Sequence, residues 1–112
     1  MTVRDVAARL NLEVLTGNVN LDEEVKQGYS SDLLSDVIAN AEENSIWITV
    51  QRHVNILGVA KLKNIVAIIT PRSLKIDKEV VDRASAEGVA LLRSGSSAFE
   101  IAGLLYGLIK KG

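Results

Sequence analysis

Five consecutive residues, Ile65-Val66-Ala67-Ile68-Ile69, hold four β-branched side chains and no polar position. An apolar run without alternation belongs to a strand covered on both faces, as in a parallel sheet with helices above and below. Thr70-Pro71 ends the run, because proline brings no amide hydrogen to a ladder. Similar strands are expected at residues 46–50 and 89–92. From Ile46 onward strands and helices alternate, with connections of only a few residues. Right-handed helical crossovers between parallel strands satisfy that pattern. The expected fold is therefore α/β: a three-layer α/β/α sandwich with a mostly parallel sheet, in which Ile48, Ile56, Ile68 and Leu104 are buried.

The other elements follow from caps and periodicity. Thr2 reads as a helix N-cap with Asp5 at the capping-box position, and Val3, Val6, Ala7 and Leu10 recur at helical spacing. Leu12, Val14 and Leu15 predict a short strand ended by Gly17-Asn18, and Val25, Gln27 and Tyr29 a second extended stretch. Ser30-Ser31-Asp32 is expected to open a helix whose buried stripe is Leu33, Leu34, Val37, Ile38 and Ala41. Ile56, Leu57, Val59, Ala60 and Leu62 predict a helix buried on two sides. Asp77 is expected to cap a helix with inner residues Val80, Val81 and Ala84, stopped by Gly88. Ser97 and Glu100 have capping-box spacing at the last helix. That helix carries Ala98, Ala102, Leu105 and Ile109 on one flank and Ile101, Leu104 and Leu108 on another. One sheet face would cover only part of this circumference, which points to a two-fold homodimer.

Composition narrows the function. A chain of 112 residues with 47% hydrophobic content is sized for one domain, expected over residues 1–112. Thirteen basic and fourteen acidic residues leave a net charge of −1, so no global field recruits nucleic acid or an anionic membrane. Without cysteine there is neither a disulfide nor a thiolate nucleophile. The opening Met1-Thr2-Val3-Arg4-Asp5 has no apolar run of the signal-peptide kind, and no apolar stretch is long enough to span a bilayer. A cytoplasmic protein is expected.

The polar corner Gln51-Arg52-His53-Val54-Asn55 sits between the first of these strands and the apolar helix. In a parallel α/β sheet the carboxyl ends of the strands share one edge, and ligands bind there. The candidate ligand-binding residues are therefore Ser30, Ser31, Asp32, Gln51, Arg52, His53, Asn55, Ser96 and Ser97. Arg52 can supply charge-assisted bonds to an anion, and Gln51 and Asn55 can orient it with paired donors and acceptors. His53 would make such binding pH-dependent. Each feature also has a structural reading: His53 can bond at a helix start, and the serines and Asp32 can cap helices. A catalytic arrangement of Ser96, His53 and Asp32, or a metal site of His53 with Asp32 and Asp36, would need geometry that spacing alone does not supply. No catalytic residue, metal or cofactor is assigned.

Leu21-Asp22-Glu23-Glu24-Val25, Gly28-Tyr29-Ser30-Ser31-Asp32-Leu33-Leu34 and Trp47-Ile48-Thr49-Val50-Gln51-Arg52-His53-Val54-Asn55, in that order, resemble stand-alone proteins of the DRTGG domain family. That family is related to the N-terminal domain of HPr kinase/phosphorylase. The name-giving motif is not literally present; Asp22 and Gly28 match its acidic and glycine positions. The resemblance implies a three-layer fold like that N-terminal domain, occurrence beside CBS-type domains and enzymes, and a regulatory or ligand-sensing role. The kinase activity of the larger enzyme resides in another domain with a phosphate-binding loop, and no G-x-x-x-x-G-K-[ST] occurs in this sequence. The expected function is a non-catalytic regulatory or ligand-sensing domain for a small anionic or nucleotide-like metabolite, acting through homodimerisation or a partner enzyme. A protein-interaction module without a ligand is the alternative, followed by a small enzyme using His53.

Overall fold

The computed structural model describes residues 1–111. In chain order its elements are α1 (Val3–Arg9), β1 (Glu13–Val14), β2 (Gln27–Ser30), α2 (Leu34–Asn40), β3 (Ser45–Ile48), α3 (Asn55–Leu62), β4 (Ala67–Thr70), α4 (Lys78–Glu87), β5 (Ala90–Arg93) and α5 (Ala98–Lys111). The five strands form one sheet in the order β1-β5-β4-β3-β2. The pairs β2–β3, β3–β4 and β4–β5 are parallel, and only β1 runs antiparallel, against β5. This is the expected mostly parallel α/β sheet.

The parallel strands are laid down in sequence order, so each right-handed crossover places its helix on the same face. One core accordingly joins Val37 of α2, Ile56 and Ala60 of α3, and Val80 and Ala84 of α4 to Trp47, Ile68 and Leu91. The other face joins Val3 and Val6 of α1 and Ile101 and Leu105 of α5 to Ile46, Ile48, Ile69 and Leu92. Successive strand residues point to opposite faces, so a strand feeding both cores is apolar along its centre, with polar Ser45 and Thr70 only at the ends. Every residue of β3 and β4 is buried.

Some expectations shift. The run at 65–69 begins its strand only at Ala67: Asn64 turns left-handed at φ 53°, and the Ile65 amide bonds back to the Ala60 carbonyl at 2.8 Å. Ile65 and Val66 are buried in the connection that leaves α3 rather than in the strand. The strand expected at 46–50 is Ser45–Ile48. Ser30 ends β2, and α2 starts after Leu33 with no side-chain cap. Of its expected apolar stripe, Leu33 and Ile38 are exposed, since only Val37 of that helix is fully buried against the sheet. Leu62 is exposed as well, so α3 is not covered along its whole length. Leu104 is 55% exposed where burial was expected. With Ile101 and Leu105 against the sheet, the helical step of roughly 100° per residue turns Leu104 toward the side.

Both capping boxes form, Thr2 with Asp5 and Ser97 with Glu100. Asp77 occupies the N-cap of α4 but makes no side-chain cap bond, and Gly88 ends that helix at φ 78°.

Candidate functional site

The carboxyl edge of the sheet carries four loops in a row, one after each parallel strand. The loop after β2 is fastened to the loop after β3 by a clasp of short bonds. Asp32 Oδ1 accepts from the Thr49 hydroxyl at 2.8 Å and from the Val50 amide at 2.9 Å. Thr49, which is buried, accepts in turn from the Gln51 amide at 3.1 Å. The Gln51 carboxamide donates to the Asp32 carbonyl at 2.8 Å. The buried Trp47 indole donates to the Ser31 carbonyl at 2.8 Å, tying the same loop down from below.

Beyond the clasp, Arg52 reaches the next loop, between β4 and α4. Its Nε donates to the Val50 carbonyl at 3.2 Å and its Nη1 to the Lys75 carbonyl at 2.8 Å. From the other side Arg93 donates to the Leu74 carbonyl at 3.4 Å while pairing with Glu13 at 2.7 Å. Two arginines therefore hold a loop in which Arg72 and Ser73 both adopt left-handed backbone, at φ 56° and 52°. Such conformations persist only where the surroundings enforce them.

Between the β3–α3 corner and this loop lies an open cleft of about 380 Å³, lined by Val50, Gln51, Arg52, His53, Lys75, Asp77 and Val80. Arg52, His53 and Lys75 bring three basic side chains to one hollow. Among the described residues, no carboxylate makes an ion pair with Arg52 or Lys75. His53 Nδ1 accepts from the Asn55 amide at 3.4 Å, at the start of α3.

The nine residues singled out in the sequence do not all converge. Gln51, Arg52 and His53 line the cleft, and Asn55 begins the helix beside it. Asp32 supports the corner through the clasp. The Ser31 hydroxyl accepts from the Leu33 amide at 3.2 Å within its own turn. Ser30 lies on the opposite face, in an apolar cleft of about 220 Å³ between β2 and α5. Ser96 and Ser97 follow β5, which stands two strands from β3. At the usual strand spacing that is a separation of roughly 10 Å along the edge. The Ser96 carbonyl accepts from the Arg72 amide, and Ser97 caps α5 with Glu100. Ser96, His53 and Asp32 thus have separate partners. Asp36 accepts from the Tyr29 hydroxyl at 2.8 Å, apart from Asp32 and His53.

Lys75 and Asp77 were not among the candidates. The signal available for Lys75 was its position in the loop after a strand, shared with Arg72. Near the β2 edge, the Ser31 and Tyr29 hydroxyls hold the Asp36 carboxyl below its usual range, and Asp36 pushes the Tyr29 phenol up.

At the opposite edge a second cavity of about 380 Å³ is lined by Asn20, Asn44, Asn64 and several glutamates. Two of its amides are committed to the fold: Asn20 donates to the Gly88 and Val66 carbonyls at 2.7 and 3.2 Å, and Asn44 to the Glu24 carbonyl at 2.9 Å. Among the described residues no helix is long and apolar enough to cross a membrane.

The fold and site define an α/β domain whose loop edge presents a cleft with three basic side chains and one carboxylate, Asp77. No protein-family model matches the chain, and no curated protein matches it in sequence. Among solved structures, 93% of the chain superposes on part of a Clostridium perfringens pyrophosphatase with a TM-score of 0.69 and 12% identity. That structure comprises the CBS and DRTGG domains of the pyrophosphatase's regulatory region, in complex with the activator diadenosine tetraphosphate. The present chain spans 45% of its length. The likeness shows that the chain shares its α/β fold with part of that regulatory region.

Proposed function

We propose that this chain is a non-catalytic, cytoplasmic regulatory unit, one domain over residues 1–112, that senses a small anionic, nucleotide-like metabolite. It would pass the binding event on through association of two copies or through docking to an enzyme. The observation that carries this reading is the convergence of Arg52, His53 and Lys75 on one cleft at the carboxyl edge. Among the described residues no carboxylate pairs with the two permanent cations there. A polyanion entering the cleft meets charge already held in place by the Arg52 bonds to Val50 and Lys75, and charge-assisted bonds of this kind are the strong ones. Gln51 and Asn55 would orient it, while Asp32 and the clasp hold the corner in place. Ser30, Ser31, Ser96 and Ser97 have no part in this binding. The neighbouring structure is a regulatory region with a nucleotide activator, which agrees with the chemistry proposed.

The mechanism is a loop tether. Because Arg52 holds the Lys75 carbonyl, an anion that engages Arg52 and Lys75 together would tighten the β4–α4 loop against the β3–α3 corner. Any shift in conformation is limited by the ligand's differential affinity for the two arrangements.

The test is a thermal-shift and calorimetric screen with AMP, ATP, diadenosine tetraphosphate and inorganic phosphate. A ligand at a hundred times its Kd stabilises the folded state by about 2.7 kcal/mol, several degrees in melting temperature. Lys75→Ala and His53→Ala should fold normally, because His53 holds only the Asn55 amide two residues on, by one long bond, and should bind at least about tenfold more weakly. A panel without any shift, or binding that survives both substitutions, overturns the reading.

A further inference from the structure

The outer face of α5 and its two flanks carry large apolar groups that the described chain leaves uncovered. Phe99 is 88% exposed, Tyr106 65% and Leu104 55%. Between them on the helical net lie Gly103 and Gly107, four residues apart and turned away from the sheet. An added Cβ at either glycine would meet nothing within 4 Å. Glycine weakens a helix interior, so these two are not explained by packing within one copy. At the two ends of the same strip stand Glu100 and Lys110, both exposed.

We propose that this face packs against the same face of a second copy, with the two α5 helices antiparallel about a two-fold axis level with Leu105. The inference rests on the association included in the functional reading above and specifies where it occurs. An isologous two-fold contact pairs each position with its mirror in the sequence. About Leu105, Gly103 meets Gly107 of the second copy and Glu100, which also caps Ser97, meets its Lys110, while Leu104 and Tyr106, on opposite flanks of the strip, each face their own counterpart. The symmetry therefore places opposite charges together twice, at the two ends of the strip, and the smallest residues at its centre where the backbones come closest. A parallel pairing would instead set Glu100 against Glu100 and Lys110 against Lys110. Charge complementarity thus selects both the occupant and its direction. The Lys110 ammonium lies 5.5 Å from the Tyr106 ring centroid. Its attraction to that ring keeps the charge over the face rather than trailing beyond the helix end.

One helix face is smaller than the roughly 800 Å² per partner of a standard interface, so the dimer should dissociate on dilution. Sedimentation equilibrium of the full chain over a wide concentration range, up to millimolar, provides the test. The expected result is a reversible monomer–dimer equilibrium. Lys110→Glu, which sets like charges together at both ends, should weaken it at least about tenfold at low salt and recover part of the loss at high salt. The Gly103→Gln/Gly107→Gln variant should be monomeric, with a monomer melting temperature unchanged or raised, since glutamine is the better helix former. A wild-type chain that stays monomeric at millimolar concentration overturns this proposal together with the association it rests on. A wild-type dimer that ignores both variants overturns the α5 face alone.

Discussion

Replacing Thr49 by valine removes one hydroxyl from a residue that is 1% exposed, and keeps the shape of its side chain. The hydroxyl donates to Asp32 at 2.8 Å and accepts from the Gln51 amide at 3.1 Å. A hydrogen bond to a charged group contributes about 1.5–3 kcal/mol. The lower end applies here, because the Asp32 carboxylate is exposed and regains water once released. The new methyl, buried in the hydroxyl's place, offsets part of the loss at up to about 0.8 kcal/mol per buried carbon group. The net cost should be about 1 kcal/mol, a fall of roughly 3–6 °C in melting temperature for a domain of this size. Urea unfolding read by Trp47 fluorescence would show the midpoint falling by somewhat under about 1 M. The decisive measurement is the cycle with Asp32→Ala. If Thr49 and Asp32 act as one clasp, the double variant should lose about 1 kcal/mol less than the two single losses added together. Additivity within about 0.5 kcal/mol would refute the clasp and return Asp32 to the ligand-binding candidates.

Two further outcomes follow from bonds away from the cleft. Asn20→Gly keeps the left-handed backbone at φ 56° but loses the carboxamide that spans the Val66 and Gly88 carbonyls. Losing those two bonds should cost about 1–2 kcal/mol in urea unfolding. Acid titration should destabilise the fold. Asp5 is held down by the Thr2 amide and hydroxyl, Asp22 by Arg4, and Asp36 by the Ser31 and Tyr29 hydroxyls. A carboxyl whose native pKa lies below its unfolded value contributes stability that is present above the unfolded value and lost as pH falls through the native one. The loss should therefore begin near the ordinary aspartate range, about 3.9, and continue below it. Asp36→Asn should flatten the acid limb followed by circular dichroism.

The layers of this fold were legible because β3 and β4 must be apolar on both faces, and a run such as Ala67-Ile68-Ile69 has few alternatives. Element boundaries were less so. Ile65 looks like strand by composition, yet the left-handed turn at Asn64 gives its amide to α3. Asparagine tolerates that backbone. Asn11, Asn20, Asn44 and Asn64 all adopt it, but nothing local in the sequence says which asparagine will. At the candidate site, Gln51, Arg52 and His53, neighbours in sequence, line one cleft. Ser96 and Ser97 stand apart from that cleft, because strand order is not written in the sequence and the winding places β5 two strands from β3. Asp32 reads as a residue at a helix start and a ligand-binding candidate; its bond to Thr49, 17 residues away, is a tertiary contact that local pattern cannot show.

The antiparallel β1 has a consequence for how the molecule assembles. Partners within the parallel ladder lie about twenty residues apart in the chain, so each βαβ unit can close locally and extend its neighbour. The N-terminal segment joins by far longer spans: Glu13 meets Arg93 across 80 residues, Thr16 meets Leu91 across 75, and Asn20 meets Gly88 across 68. Two doublings of loop length add about 1.2 kcal/mol of closure entropy before any of those contacts forms. Residues 27–93 can thus propagate as a ladder while the segment before them waits for the outer edge of β5 to exist. In a cell this segment leaves the ribosome ahead of the ladder and docks after it, so its apolar side, with Val3, Val6 and Leu21, stays uncovered throughout synthesis of the strands.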